Sequence, residues 1–423
     1  MMSTKNILFV FLFAALTAHA QIDSSFVVNI ENEAVHKYLA EVHYTSAEDE
    51  SQIEQYNVSP PSIRYIPNPA VVKLPEVSTD TLILVYSLNS EFTPSDTIGI
   101  MAGSKEVNVY NLVPSRLYYY KVESPTPSPS PVGIVASGTI EVQGQVRMIY
   151  TPSTFNVRDI GGWPTVDGQR IKYEKIYRGA ELNGRFVADS IDIVTLKKLG
   201  IAAEIDMRAW YEEEHGVSAF GFLSASEVES GEVPSFYASS DSGQLLEHLN
   251  TYMYLYRWRM EFNFIVNNMR VGRPVYVHCR HGADRTGFLC MLMEGLLGVG
   301  YDGLMKDYLL TLFWGGTNTK EIADGIIDFI NGLPGNTLQE RFNYFFVRKV
   351  GASQADVDYF CSEMLEDIPI STSVNNFSIH RSSRIPGIYD LRGVKIDKES
   401  SSRNHGILIE VGSDGSVRKI NMK

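Results

Sequence analysis

The sequence predicts a multidomain chain: an all-β sandwich, then an α/β domain with a mostly parallel central sheet flanked by helices, then a small C-terminal β module. Three observations carry this. Between about Ser59 and Gln143 the residues are β-prone, with turn signals about every eight to twelve positions, the rhythm of a sandwich. From about Val146 short apolar runs alternate with longer helical patterns, which calls for parallel strands covered by helices. After about Ile370, Gly-bounded alternating runs return. A chain of 423 residues accommodates two or three such units at roughly 150 residues each.

Composition narrows the function classes. The chain is 44% hydrophobic and 21% charged, which excludes a collagen-like, disordered or polytopic membrane protein. There are 37 Lys+Arg against 50 Asp+Glu, a net charge of −13, and no basic run. Neutralising phosphates needs clustered cations, so nucleic acid is not an expected partner. Three cysteines cannot build a disulfide framework.

Taken in order, residues 1–20 read as a signal peptide: Lys5, an apolar run from Ile7 to Leu16, then the small-x-small Ala18-His19-Ala20. The run is about half the length that a bilayer span requires, so the expectation is export (periplasm, outer surface or secreted) without stable membrane insertion. Residues 21–58 form an N-terminal segment and 59–145 the sandwich. Inside it, Thr81–Tyr86 and Glu106–Tyr110 are strand-like. Leu112-Val113-Pro114 leads into the Tyr-rich Leu117–Val122, a corner that resembles fibronectin type III sandwiches, where a Tyr ties a loop to the sheet. The Pro-rich run from Pro125 to Pro131 lacks ladder donors and must be loop or edge. The α/β domain occupies 146–368. Residues 369–423, with Gly387–Gly393 and Gly406–Val411, resemble the C-terminal sorting tails of proteins exported by Bacteroidota through the type IX system; an appended β-hairpin is the plainer reading.

The informative cysteine is Cys279. Pro274–His278 is a short buried-type strand; Cys279-Arg280-His281-Gly282-Ala283-Asp284-Arg285 follows as a loop; Thr286-Gly287-Phe288-Leu289 opens an apolar helix. A loop closing onto a helix N-terminus turns backbone N–H groups inward and makes an anion-binding nest. The same field favours a thiolate over a thiol. Arg285 can grip two oxygens of a tetrahedral oxyanion with its planar fork, and Gly282 lets the backbone approach closely. A thiolate at the base of a phosphate cradle is placed for in-line attack on phosphorus.

His278-Cys279-x5-Arg285-Thr286-Gly287 resembles the signature of cysteine-dependent protein tyrosine phosphatases. Asn156-Val157-Arg158-Asp159-Ile160-Gly161-Gly162, Ile176-Tyr177-Arg178-Gly179-Ala180, Asp206-Met207-Arg208 with Glu212, and Leu338-Gln339-Glu340 with Val350–Ser353 are similar to the bacterial branch that includes secreted mycobacterial dual-specificity and lipid phosphatases. The resemblance spans about Val146 to Glu366. It implies a phosphomonoester hydrolase working through a phosphocysteine, with no metal or other cofactor. It places Cys279 and Arg285 in catalysis, and Arg280, His281, Gly282, Ala283, Thr286, Arg158 and Asp159 around the substrate, a phosphorylated protein or small phosphate ester. Ala283 departs from the Lys that many relatives carry there, which weighs against phosphoinositides.

The departing oxygen needs a proton, so an acid is required. Trp163-Pro164-Thr165-Val166-Asp167 imitates an acid loop but lies 116 residues before Cys279 and reads as part of the Gly-Gly turn. Asp241 lies 38 residues before Cys279 in a Ser-rich stretch and reads better as a loop cap. Asp284, inside the loop, and Asp206, at the carboxyl end of a strand, remain, with Asp284 preferred. Asp206 could equally pair with Arg208 or Arg158. His281, Asp302 and the run Glu212–His215 have no metal-ligand spacing, and Cys290 and Cys361 read as core thiols. Three other readings stay open: an inositol-phosphate or phosphoinositide phosphatase, a phosphate-binding pseudophosphatase, and a rhodanese-like sulfurtransferase.

Overall fold

The computed structural model describes residues 23–46, 53, 65–124, 133–208, 213–214, 216–220, 249–316 and 318–368, together with four strands of the tail. Asp241, the Pro125–Pro131 run, Glu212 and His215 lie outside the described residues.

The amino-terminal β region is a five-stranded sheet facing a two-stranded one. The first has the order β1 (Asp23–Asn29), β7 (Ile134–Gln143), β6 (Leu117–Glu123), β3 (Leu82–Ser87), β4 (Asp96–Ile100); the second pairs β2 (Ala70–Lys73) with β5 (Glu106–Val109). Alternation drives it. Tyr118, Tyr120 and Val122 of β6 turn inward beside Leu84, Ile140 and Val142, and Ala70, Val72, Val107 and Val109 of the small sheet join the same cluster. Each such aliphatic side chain contributes about 1.5–3 kcal/mol by leaving water. At the corner, the Tyr118 hydroxyl accepts the Val113 N–H at 3.1 Å.

β1 begins ahead of the boundary at 59 read from the sequence. It runs parallel to β7, with Phe26 opposite Ile140, so its partner lies more than a hundred residues away and no local pattern announces the pairing. Helix α1 (Glu33–Glu41) follows, capped by the Asn32 side chain on the Val35 N–H at 2.9 Å. Its Val35 and Tyr38, with Val42, Tyr44 and Ile53, belong to the core of the α/β domain. The segment 21–58 is therefore divided between both domains.

In the α/β domain β10 (Ile176–Gly179), β12 (Val275–His278) and β11 (Ala203–Asp206) are parallel, and β8 (Arg158–Asp159) runs antiparallel to β10. The order is β11-β12-β10-β8, and every residue of these strands is buried. Such double coverage suits the apolar run of β12, whereas β8, β10 and β11 carry buried charged residues. A separate ribbon pairs β9 (Gln169–Ile171) with β13 (Leu365–Asp367). The helices are α2 (Ser190–Lys198), α3 (Tyr252–Arg270), α4 (Asp284–Leu296), α5 (Tyr301–Leu310), α6 (Lys320–Asn331), α7 (Leu338–Tyr344) and α8 (Gln354–Met364). α4 is buried along its whole length after the first two residues, with Phe288 stacked on Trp258 of α3 at 5.1 Å. Among the described residues no helix is long and apolar enough to cross a membrane.

The β region and the α/β domain share polar ties. Buried Glu31 accepts the Gln145 and Val146 N–H groups at 2.7 and 2.9 Å. Arg147 spans from the Asn111 carbonyl (2.7 Å) to Asp159 (3.3 Å) and the Tyr177 hydroxyl (3.2 Å). Residues 369–423 form a second compact unit, whose strands β14 (Gly387–Tyr389), β15 (Lys395–Ile396), β16 (Gly406–Val411) and β17 (Val417–Met422) pair antiparallel in the order β15-β14-β16-β17.

Candidate active site

β12 brings Cys279 to the carboxyl end of the parallel strands, where open α/β sheets place their ligands. Cys279 is 2% exposed. From there to α4 the loop carbonyls face the scaffold. That of Cys279 meets His278 Nδ1 at 3.2 Å, and that of Arg280 accepts the Glu181 N–H at 3.1 Å. Asn156 Nδ2 donates to the carbonyls of His281 and Gly282, both at 3.0 Å, and Arg178 Nη2 adds a bond to Gly282 at 2.9 Å. The Ala283 carbonyl takes the Gly287 N–H at 2.8 Å and Asn318 Nδ2 at 3.3 Å. In a trans peptide the N–H points away from the preceding C=O. Five outward carbonyls therefore turn the amides of residues 280–284 inward, to the N-terminus of α4, and form an anion nest.

Gly282 is the pivot. Its φ is +66°, and a Cβ there would lie 2.8 Å from the Ala180 nitrogen and closer still to the Gly179 carbonyl. Only glycine fits a left-handed position pressed against a neighbouring strand. Arg285, in the first turn of α4, donates from Nη1 to the Met207 carbonyl just past β11, at 3.1 Å. The Cys279 thiol, the nest and the Arg285 guanidinium thus stand on one loop and the helix it leads into.

Residues 149–345 match the model of the tyrosine phosphatase family. A protein of Cupriavidus necator with the provisional name tyrosine-protein phosphatase is 27% identical over 184 residues, which is 41% of this chain and 66% of that protein. The chain thus spans just under two thirds of that relative's length.

Within this tyrosine phosphatase-like domain the residues expected from sequence separate into two groups. Cys279, Arg280, His281, Gly282, Ala283, Asp284, Arg285 and Thr286 form the loop and helix start. Thr286 is fully buried in the first turn of α4. Arg158 and Asp159 do not reach the loop's inner side. Arg158 is wholly buried and bonded to Asp307 (3.1 Å) and to Asn156 Oδ1 (2.6 Å). Asp159 is buried too; it accepts N–H groups from Gly161 (2.9 Å) and Glu174 (2.7 Å) and pairs with Arg147. Burial pushes its carboxyl up to about 6, against the pull of Arg147. Both side chains are thus engaged by partners inside the protein.

Asp206 is likewise engaged inside the protein. Its oxygens accept Arg208 Nε at 2.9 Å, Arg208 Nη2 at 2.8 Å and the Gly216 N–H at 2.9 Å. Burial works against ionisation, but His278 and Arg208 outweigh it and hold the carboxyl well below its usual range. Asp206 thus makes the pairing with Arg208 that its sequence position left open beside the acid role. Asp284 is half-buried at the first position of α4, with His281 and Tyr308 in its field.

Several residues of the site escaped the sequence reading. Glu204 Oε1 lies 2.8 Å from His278 Nε2. The imidazole stands between the Glu204 carboxyl and the Cys279 carbonyl, at 2.8 and 3.2 Å. Burial opposes the charge, yet Asp206 and Glu204 raise the His278 pKa. Asn156, Arg178 and Asp307 also went unassigned. Asn156 left a trace in its left-handed φ of 57°, a conformation Asn tolerates, but that is visible only in the fold. His281 packs edge-on against Phe186 at 5.2 Å, and Phe155 meets Phe186 at 5.0 Å, an aromatic wall beside the loop. Burial lowers the His281 pKa, so His281 adds no charge of its own at pH 7, while the Arg185 guanidinium lies 5.8 Å from the centre of the Phe186 ring.

Among the described residues no group of acidic, His or Cys side chains could hold a metal ion. Cys290 is buried and its thiol is pushed up to about 12; half-buried Cys361 rises to about 11, both mainly by burial. Neither is a nucleophile at neutral pH.

Proposed function

We propose that this chain is an exported phosphomonoester hydrolase of the protein tyrosine or dual-specificity type, acting through a phosphocysteine intermediate. The observation that carries the reading is the outward set of five loop carbonyls around Cys279, which leaves an amide-lined cradle with the nucleophile at its base. In the first step the Cys279 thiolate attacks phosphorus, the P–O bond to the leaving group breaks, and Asp284 gives its proton to the departing oxygen. Arg285 and the amides of 280–284 hold the three equatorial oxygens as charge spreads over them. In the second step water attacks the phosphocysteine, Asp284 takes the water proton, and phosphate leaves with the thiolate restored.

The aromatic wall of His281, Phe155 and Phe186 favours a flat leaving group such as an aryl ester. Inositol-phosphate or phosphoinositide hydrolysis is the runner-up, and Ala283 in place of a cation weighs against it. The test is hydrolysis of an aryl phosphate by purified protein alongside inositol phosphates and phosphoinositides. Activity that survives Cys279→Ser refutes the mechanism. Phosphopeptide binding without turnover by the unaltered protein would mark a pseudophosphatase, and turnover of thiosulfate a sulfurtransferase. We read the amino-terminal strands as a fibronectin type III-like module, on the tie between Tyr118 and Val113. Export rests on residues 1–20, with 369–423 as a sorting tail; fractionation of cells expressing the chain with and without each segment tests both.

A further inference from the structure

We infer that Arg178, locked in place by Asp307, positions the phosphate loop from below and supplies the cradle with a buried positive charge; this rests on the phosphatase reading. Arg178 is fully buried on β10, one strand away from Cys279. Its two terminal nitrogens point to different duties. Nη2 donates to the Gly282 carbonyl at 2.9 Å, and Nη1 donates to Asp307 Oδ2 at 2.6 Å. Asp307, on α5, also takes Arg158 Nε at 3.1 Å. Arg158 in turn donates to Asn156 Oδ1 at 2.6 Å.

That last bond settles the Asn156 amide. With Oδ1 accepting from Arg158, Nδ2 must be the end that faces the loop, where its two hydrogens serve the His281 and Gly282 carbonyls. Asp307 therefore governs the loop twice: directly through Arg178, and through Arg158 and Asn156. All of these bonds pull carbonyls outward, which is what turns the amides of residues 282 and 283 inward.

Arg158 and Arg178 are both guanidinium ions, since arginine keeps its proton in proteins. Asp307 is ionised, because the two arginines outweigh its burial and lower its pKa. Glu294, the other carboxyl of the cluster, is pushed far up by burial and by Asp307. Behind the cradle, the ion pairs thus set two guanidinium ions against the one carboxylate of Asp307. Buried charge acts through a low dielectric and is screened little by salt, so it favours a bound phosphate more than a surface lysine could.

The experiment uses the full chain. Aryl phosphate kinetics and competitive inhibition by inorganic phosphate are measured for the wild type, Arg178→Lys and Arg178→Met, with melting curves for each. Lysine keeps a cation but cannot reach both Gly282 and Asp307, and methionine removes the charge. Each variant should raise the phosphate inhibition constant by about tenfold or more, the scale of one charge-assisted hydrogen bond. A residue that merely holds the fold lowers the active fraction, so kcat falls while the inhibition constant stays put. That pattern, in a folded Arg178→Lys protein, overturns the inference; where Arg178→Met fails to fold, Arg178→Lys decides alone. A wild type that neither hydrolyses aryl phosphate nor is inhibited by phosphate removes the phosphatase reading and this inference with it. Unchanged inhibition in variants of an active enzyme removes the inference only.

Discussion

Replacing Gly282 by alanine adds one methyl group at the tightest point of the phosphate loop. Two costs follow from the geometry. The residue sits at φ +66°, where an L side chain loses about 1–2 kcal/mol. The new Cβ would also stand 2.8 Å from the Ala180 nitrogen and nearer to the Gly179 carbonyl, both rigid backbone atoms of the neighbouring strand end. Carbon atoms settle at about 3.5–4 Å, so loop and strand must part by about 1 Å. The bonds from Arg178 and Asn156 to the Gly282 carbonyl stretch with them. A 1 Å misplacement of reacting groups costs about 10²-fold in rate. Gly282→Ala is therefore expected to lose about 10²-fold in kcat/KM on an aryl phosphate, with weaker inhibition by inorganic phosphate, while the strain lowers Tm by only a few degrees. Steady-state kinetics and a melting curve on the same sample check both. A folded Gly282→Ala protein within about threefold of wild-type kcat/KM would refute the argument, because the cradle would then tolerate a loop pushed off its strand.

Three further outcomes follow from groups outside the loop. Glu261 on α3 is buried with neither carboxyl oxygen bonded among the described residues, and burial pushes its pKa far up. The unfolded chain ionises it above about pH 4.3 while the fold keeps it neutral, so it lowers stability increasingly as pH rises, by up to about 1.4 kcal/mol per unit. Glu261→Gln removes that slope: urea denaturation from pH 5 to 8 should show the variant gaining on the wild type as pH increases, and a constant gap would sink the idea. Asp206 behaves in the opposite sense. Its lowered pKa gives stability that is full above the unfolded carboxylate value of about 3.9 and is lost as pH falls through the folded value. Asp206→Asn should cost about 1.5–3 kcal/mol in denaturant melts at pH 7, since Arg208 loses one of its two carboxylate partners and keeps Glu181, yet leave the dependence of rate on leaving group as it was. Asp284→Asn should do the reverse. A folded variant should lose about 10²-fold with a poor, basic leaving group and little with a very good one. Equal losses with both leaving groups would take the acid role away from Asp284.

How much of this was legible in the sequence depends on how local each interaction is. The strand Val275–His278, the loop and helix α4 are contiguous, so their order alone placed Cys279 and Arg285 at the two ends of one loop. The two cores, one alternating with period two and one of fully buried strands, left equally local marks. β1 did not, because its pairing with β7 joins positions more than a hundred residues apart. Helix α1 is short and carries Val35 and Tyr38 into a core assembled from a different part of the chain, so nothing around it indicates which domain it serves. The same reasoning covers Arg158 and Asp159. A charged pair in a distinctive segment invites a functional reading, and only the positions of Asp307 and Arg147 reveal that both charges are spent inside the protein.

Electrostatics marks the sharper boundary of what sequence can say. The chain carries −13 overall, yet the binding reading needs an anion to settle beside Cys279. Surface charge cannot supply the attraction, and the sequence offers only Arg280 and Arg285 near the cysteine. The interior supplies the rest: Arg158 and Arg178 both pair with the single carboxylate of Asp307, whereas His278 is matched by Glu204 and Asp206. These groups come from β8, β10, β11, β12 and α5, five elements spread over about 150 residues of chain. Long-range charge repels a phosphate ester and is screened within about 8 Å at physiological salt, whereas the buried cations act at contact range and are not. Added salt should therefore leave phosphate binding nearly unchanged or improve it, the opposite of a site built from surface lysines. A binding constant that weakens steeply with ionic strength would mean that exposed cations, not the buried cluster, hold the anion.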